Sequence, residues 1–245
     1  MSKRVALLFG LNYEGTSNAL RGCVNDVNNM SKWLEDQGFE CEKCCDYTTT
    51  CASYMIRKIS ELAHRTHIEN IETVWIHYSG HGSYIKDKSG DELDGRDECL
   101  CPSDLVIIPD DYLQDLFKTF SRKTKLIFMA DCCHSGTISD LPFSWDYENL
   151  TYTRDNEEKF KNKIVTISGC KDDQTSADAY LPDIESGQHQ FSGAMTTHLL
   201  QLLYKGTFDL FSICKELNIL LKDNGFEQRP RLSSSYNIRK DARLF

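Results

Sequence analysis

The chain has 245 residues, 40% of them hydrophobic and 27% charged, and a formal net charge of −9. This length and balance suffice for one good core, so a single domain is expected. The acidic balance argues against a nucleic-acid surface, which needs clustered Lys and Arg, and no apolar run approaches the length of a membrane span.

Residues 5–9 read as a first strand. The start Ser2-Lys3-Arg4-Val5-Ala6-Leu7-Leu8-Phe9 imitates a signal peptide, but its apolar run is short and leads into Gly10-Leu11-Asn12-Tyr13-Glu14 without a small-residue cleavage site. A helix follows over 19–37, with Leu20, Val24, Val27 and Leu34 near one face and Gly38 as its stop. Residues 39–44 read as a strand and 54–64 as a helix. Cys41, Cys44, Cys45 and Cys51 lack the second ligand pair a zinc site needs, so the eleven cysteines point to a reduced, cytoplasmic protein.

Two apolar runs then stand out. Val74-Trp75-Ile76-His77-Tyr78 leads into Ser79-Gly80-His81-Gly82, and Lys125-Leu126-Ile127-Phe128-Met129-Ala130 leads into Asp131-Cys132-Cys133-His134-Ser135-Gly136. Both have the composition of strands buried on both faces of a parallel sheet. Between them, residues 87–98 place six carboxylates in twelve positions and read as an acidic loop, and 111–120 as a short helix. Residues 137–163 lack clear periodicity and read as an exposed connector. A strand at 163–168, helices at 193–204 and 208–222, and a last strand near 229–235 complete a layered α/β pattern.

The two strand ends carry the chemistry. Glycine lets the backbone turn sharply past a strand, and ligands of open α/β sheets gather at the carboxyl rim. A thiol is mostly protonated at neutral pH; a nearby imidazole takes its proton and later returns it to a leaving amine. Cys132 and His134 compete for these roles on chemistry alone. Strand alternation puts Asp131 and Cys133 on one side and Cys132 on the other. Backbone N–H groups around Gly82 and Cys133 are candidate donors to an oxyanion.

At these motifs the chain resembles the metacaspases, caspase-like cysteine peptidases of plants, fungi, protists and some viruses and bacteria. The resemblance covers nearly the whole length. It includes Gly10-Leu11-Asn12-Tyr13, Leu20-Arg21-Gly22-Cys23-Val24-Asn25-Asp26, the run from Ser168 through Gly169-Cys170-Lys171-Asp172-Asp173-Gln174-Thr175-Ser176-Ala177-Asp178 to Ala179, and Gln228-Arg229-Pro230-Arg231-Leu232-Ser233. It is closest to a first-class core without the N-terminal extension that many such relatives carry. The fold it implies is a caspase-like three-layer α/β sandwich, a mainly parallel central sheet flanked by helices. One peptidase domain is expected over 1–245, with a large-subunit-like part to about 140, a connector over 141–163 and a small-subunit-like part from 164.

The resemblance also implies roles. His81 is the base and Cys133 the nucleophile, and Cys23, Asp26, Ser79 and Asp131 form an acidic pocket for an Arg or Lys side chain. Paired carboxylates attract a cation, and arginine can bond them in bidentate fashion. Activating calcium would be held by Asp97, Asp110, Asp111 and Asp140, with Asp94 competing for the place of Asp97. Such acidic segments offer the hard oxygen donors that calcium takes. Arg154, Lys159, Lys161 and Lys163 are candidate self-cleavage sites in an enzyme that cuts after basic residues. The expected partners are peptides or proteins with exposed Arg or Lys, and the expected state is a monomer. The rival readings are a catalytically silent regulator or scaffold of the same fold, and an acid-directed caspase.

Overall fold

Strands whose residues are buried at nearly every position form the middle of the molecule. The computed structural model describes residues 2–86, 96–133, 135–136, 138–169, 178–183 and 187–245. In chain order its elements are β1 (Lys3–Gly10), α1 (Cys23–Asp36), β2 (Phe39–Cys44), α2 (Ala52–Ile68), β3 (Ile71–Ser79), β4 (Gly82–Lys86), β5 (Arg96–Leu100), β6 (Ile108–Pro109), α3 (Asp110–Lys118) and β7 (Lys125–Asp131). There follow β8 (Phe143–Asp146), β9 (Thr151–Arg154), β10 (Lys163–Ser168), β11 (Asp178–Pro182), β12 (His189–Gly193), α4 (Ala194–Tyr204), α5 (Leu210–Asp223) and β13 (Arg231–Ser234). Among the described residues, no helix is long and apolar enough to cross a membrane.

The main sheet runs β2-β1-β3-β7-β10-β13-β8-β9. Its first five strands are parallel, and β13, β8 and β9 extend it antiparallel. Alternation sorts the side chains into two layers. Val5, Leu7, Phe9, Val74, Ile76, Leu126 and Phe128 pack with Met55, Ile59 and Leu62 of α2 and Leu113 and Phe117 of α3. Ala6, Leu8, Trp75, Ile127 and Met129 face the other way, onto Val27, Met30 and Leu34 of α1 and the apolar residues of α4 and α5. Full burial of each such large side chain contributes about 1.5–3 kcal/mol, which makes the double-faced sheet the main source of stability. The result is the expected three-layer sandwich. Its central strands β3 and β7 end on one rung, Ser79 opposite Asp131.

Four differences from the sequence reading have physical causes. Helix α1 begins at Cys23, not at residue 19, because Asn12 Oδ1 accepts from Val24 N–H at 3.3 Å and Leu20 N–H donates to Asn12 O at 2.8 Å. The cap thus comes from a residue twelve positions upstream. The end of the predicted acidic loop is strand: residues 96–98 pair with β4, and Asp97 and Glu98 are buried. Residues 87–95 lie outside the described residues. The predicted connector contains β8 and β9, whose ring contacts run among Phe143, Trp145 and the exposed Tyr152, with Trp145 and Tyr152 ring centroids 5.0 Å apart. As an outer pair with β9 fully exposed, they carry too few apolar residues to read as buried strands. The β11–β12 hairpin was also not anticipated.

Candidate active site

Gly82 brings the two predicted motifs together. After Ser79 and Asp131 the chains turn, and Gly80 N–H donates to Asp131 O at 3.4 Å. A β-carbon on Gly82 would lie 2.0 Å from Cys133 O and 3.1 Å from Cys132 Sγ. Only glycine permits that approach, and it places the residue after His81 against the Cys133 carbonyl. Within the doublet the environments differ. Cys132 continues the Phe128–Ala130 face into the α2–α3 core and is 0% exposed, whereas Cys133 is half-buried at the rim. His134 lies outside the described residues.

His81 is held from several directions. Its Nε2 lies 2.7 Å from Asn18 O. A carbonyl only accepts, so Nε2 of the neutral ring carries the proton and Nδ1 presents the lone pair. The ring packs on Tyr13 with centroids 4.7 Å apart. Its main-chain N–H donates to Tyr13 OH at 2.8 Å, and its carbonyl accepts from Tyr78 OH at 2.8 Å and from Cys101 N–H at 3.1 Å.

Three of the four predicted pocket residues converge on the opposite side of the sheet from α2. Ser79 Oγ donates to Asp26 Oδ2 at 2.7 Å. Gly193 N–H donates to both Asp26 oxygens, at 2.9 and 3.0 Å. Asp131 Oδ2 accepts from Thr196 N–H at 2.9 Å and Thr196 Oγ1 at 2.8 Å. Both carboxylates therefore sit at the amino end of α4, where exposed N–H groups and the helix dipole favour negative charge. Cys23 is buried one turn from Asp26 on α1. With Asp26 1% and Asp131 4% exposed, both carboxylates are closed off from solvent. A β-carbon on Gly193 would lie 2.3 Å from Asp131 Oδ2 and 2.8 Å from Asp26 Oδ2, so glycine is required there too.

Asn18, Tyr13, Tyr78, Gly193 and Thr196 were not singled out for roles from sequence. Tyr13 and Gly193 stood beside legible signals, a motif and a predicted helix start. Their partners lie 68 and 167 residues away for His81 and Asp26, which no local pattern reveals.

The acidic residues are distributed around one corner. Asp97 is in β5; Asp110 and Asp111 open α3, where Asp110 Oδ2 accepts from Glu98 N–H at 2.9 Å and Oδ1 from Asp111 N–H at 2.8 Å. Asp140 accepts from Gln114 Nε2 at 2.5 Å and from Asn156 Nδ2 at 2.8 Å. Their oxygens are of the type calcium takes, but among the described residues no three His, Cys, Asp or Glu converge as a metal-holding group. Asp94 lies outside the described residues.

The four candidate cleavage residues are exposed. Arg154 lies in β9 and Lys163 opens β10, while Lys159 and Lys161 occupy the irregular stretch between them. Lys163 pairs with Lys125, the first residue of β7, whereas Cys133 follows the last. At about 3.3 Å per strand residue, roughly 20 Å of sheet separates the two ends.

The family model for the caspase domain matches residues 3–241. Metacaspase-2 of Trypanosoma brucei brucei is 31% identical over 265 residues, covering 96% of this chain and 74% of that protein. Metacaspase-5 of Trypanosoma cruzi is 32% identical over 258 residues, covering 94% of this chain but only 57% of the relative's length. Metacaspase-7 of Arabidopsis thaliana is 36% identical over 179 residues, covering 69% of this chain and 44% of that protein. A crystal structure of a Geobacter sulfurreducens protein shares the fold, with a TM-score of 0.71 at 24% identity over 97% of this chain and 95% of that one. The whole-length match to the caspase domain, together with these relatives, places the chain in the caspase-domain family, among the metacaspases.

Proposed function

We propose that the chain is a cysteine endopeptidase that cuts on the carboxyl side of Arg or Lys. The observation carrying this reading is the main-chain contact of Gly82 with Cys133, which joins a half-buried thiol to a histidine whose Nε2 is engaged elsewhere. In the proposed reaction His81 Nδ1 takes the proton of Cys133, and the sulfur adds to the substrate carbonyl. The tetrahedral oxyanion collapses to a thioester as the imidazolium protonates the leaving amine. Water, deprotonated by the same imidazole, then releases the acid and restores the thiol. Main-chain N–H groups near Gly82 and Cys133 are proposed as oxyanion donors.

Selectivity is assigned to Asp26 and Asp131, with Ser79 orienting Asp26. Their hydrogen bonds to residues 193 and 196 fix them before substrate arrives, so a cationic side chain meets oriented acceptors and an acidic one meets repulsion. Because both carboxylates are buried, rearrangement of the protein around them to admit that side chain is part of the proposal. Calcium stimulation is proposed on donor chemistry alone, with Asp97, Asp110, Asp111 and Asp140 as its holders and charge neutralisation at the β5–α3 corner as its contribution. The chemical steps are all carried by protein groups and water.

The test is hydrolysis of fluorogenic peptides ending in Arg, Lys or Asp, across a titration of free calcium, by the wild type, Cys133→Ala and Cys132→Ala. Cleavage after Arg and Lys, lost only in Cys133→Ala and reduced by a chelator, is expected. Activity that survives Cys133→Ala, or that prefers Asp, overturns the assignment; indifference to chelation removes calcium.

A further inference from the structure

The peptide unit of His81 is gripped by two buried phenols. Tyr13 OH accepts the His81 N–H at 2.8 Å and donates to Cys101 O at 2.5 Å. Tyr78 OH donates to His81 O at 2.8 Å and accepts from Cys101 N–H at 3.3 Å. The oxygens lie 3.2 Å apart and Tyr78 OH also lies 3.1 Å from Cys101 O; with one proton each, the shortest contacts have Tyr13 donating to Cys101 O and Tyr78 to His81 O. Burial pushes both phenols above the ordinary tyrosine range, so they stay protonated and keep both halves of this pattern. Gly80 makes room, since a β-carbon there would lie 2.9 Å from each oxygen.

The same Tyr13 also stacks on the imidazole, and Asn18, five residues on, accepts from Nε2. Tyr13 adopts φ +49°, and its carbonyl accepts from Thr16 Oγ1 at 2.7 Å and Thr16 N–H at 3.2 Å. A non-glycine residue in left-handed backbone is uncommon and signals a position determined by its surroundings. One turn thus fixes the ring's face, its Nε2 edge and its backbone N–H, while Tyr78, three residues before His81 in the chain, fixes the carbonyl.

We propose that Tyr13 is a positioning residue for the histidine base, with Tyr78 as its counterpart, setting the direction in which Nδ1 points toward the Cys133 thiol. The proposal rests on the cysteine-peptidase reading. A misplacement of about 1 Å can cost on the order of 100-fold in rate, so loss of one grip is expected to lower kcat by roughly 10- to 100-fold with KM within about twofold.

The experiment compares wild type, Tyr13→Phe and Tyr78→Phe by steady-state kinetics on an Arg-terminated peptide. In parallel, the pH dependence of Cys133 alkylation by iodoacetamide is followed by peptide mass mapping, with thermal melting as the measure of folding. Tyr13→Phe keeps the ring and removes only the hydroxyl. Lower kcat together with an alkylation profile shifted towards that of an ordinary thiol, at rates corrected for the folded fraction, supports the proposal. Unchanged kcat and profile, or a rate loss explained by unfolding alone, overturns it. If Tyr13→Phe does not fold, Tyr78→Phe decides by the same criteria. Wild type that cleaves no peptide, yet shows an alkylation profile that Tyr13→Phe shifts, refutes the peptidase reading and leaves the positioning role standing.

Discussion

Cys132 and Cys133 are chemically identical neighbours whose surroundings assign them different work. Cys132 is part of the α2–α3 core, so Cys132→Ala is expected to cost about 1–2 kcal/mol of stability through a small cavity, with kcat/KM within about threefold of wild type. Cys133→Ala is expected to abolish hydrolysis while leaving the urea midpoint nearly unchanged. At the pocket, Gly193→Ala would drive a methyl group into Asp131 and Asp26, and a loss of roughly 100-fold or more in kcat/KM for Arg peptides is expected. Peptide kinetics and denaturation curves on these three variants separate the roles. Asp26, Ser79 and Asp131 were legible because they belong to contiguous motifs. Gly193 and Thr196 were not, because a carboxylate capping a distant helix leaves no mark in the sequence around either partner.

The strands show the same division at larger scale. β10 was read at its full extent because its apolar run and polar flanks define it locally, and β2 because it follows the Gly38 helix stop, whereas β8, β9, β11 and β12 are short outer or hairpin strands that depend on pairing partners for their form. One central strand also carries an anomaly. His77 of β3, between Leu8 and Met129, is 0% exposed, and neither ring nitrogen has a hydrogen-bond partner among the described residues. Burial lowers its pKa to about 3 from an ordinary 6.5. Between those values the unfolded chain binds a proton that the folded chain does not, so stability is lost as pH falls below about 6.5. The slope reaches about 1.4 kcal/mol per pH unit, or about 2 kcal/mol by pH 5. His198, also lowered by burial, acts in the same direction. Chemical denaturation of wild type and His77→Leu at pH 7.5 and 5 checks this; the variant is expected to lose about 2 kcal/mol less over that interval.

Across the whole molecule, the proposed reaction centre and the candidate cleavage sites occupy opposite ends of the sheet. Cys133 follows the carboxyl end of β7, and Lys163 sits opposite its amino end. We propose that self-processing at these candidate positions takes place between two molecules. Lys159 and Lys161 are the favoured positions, because cutting at Arg154 or Lys163 requires a strand to leave its neighbour. A Cys133→Ala chain is expected to be cut by added wild type, at a rate proportional to the wild-type concentration, and Lys159→Ala/Lys161→Ala to slow the cut at least tenfold. Gel electrophoresis over a dilution series reads both outcomes, and a rate per molecule that does not change on dilution would exclude the intermolecular route.

The seam between Gly82 and Cys133 is main chain against main chain, with Cys132 Sγ beside it. Most of its spacing is transmitted through peptide planes, so redesign of the apolar layers away from Cys132 is expected to leave the seam in place. A single methyl added at residue 82 has no such tolerance: it would wedge the two strand tips apart and disarm an otherwise intact fold.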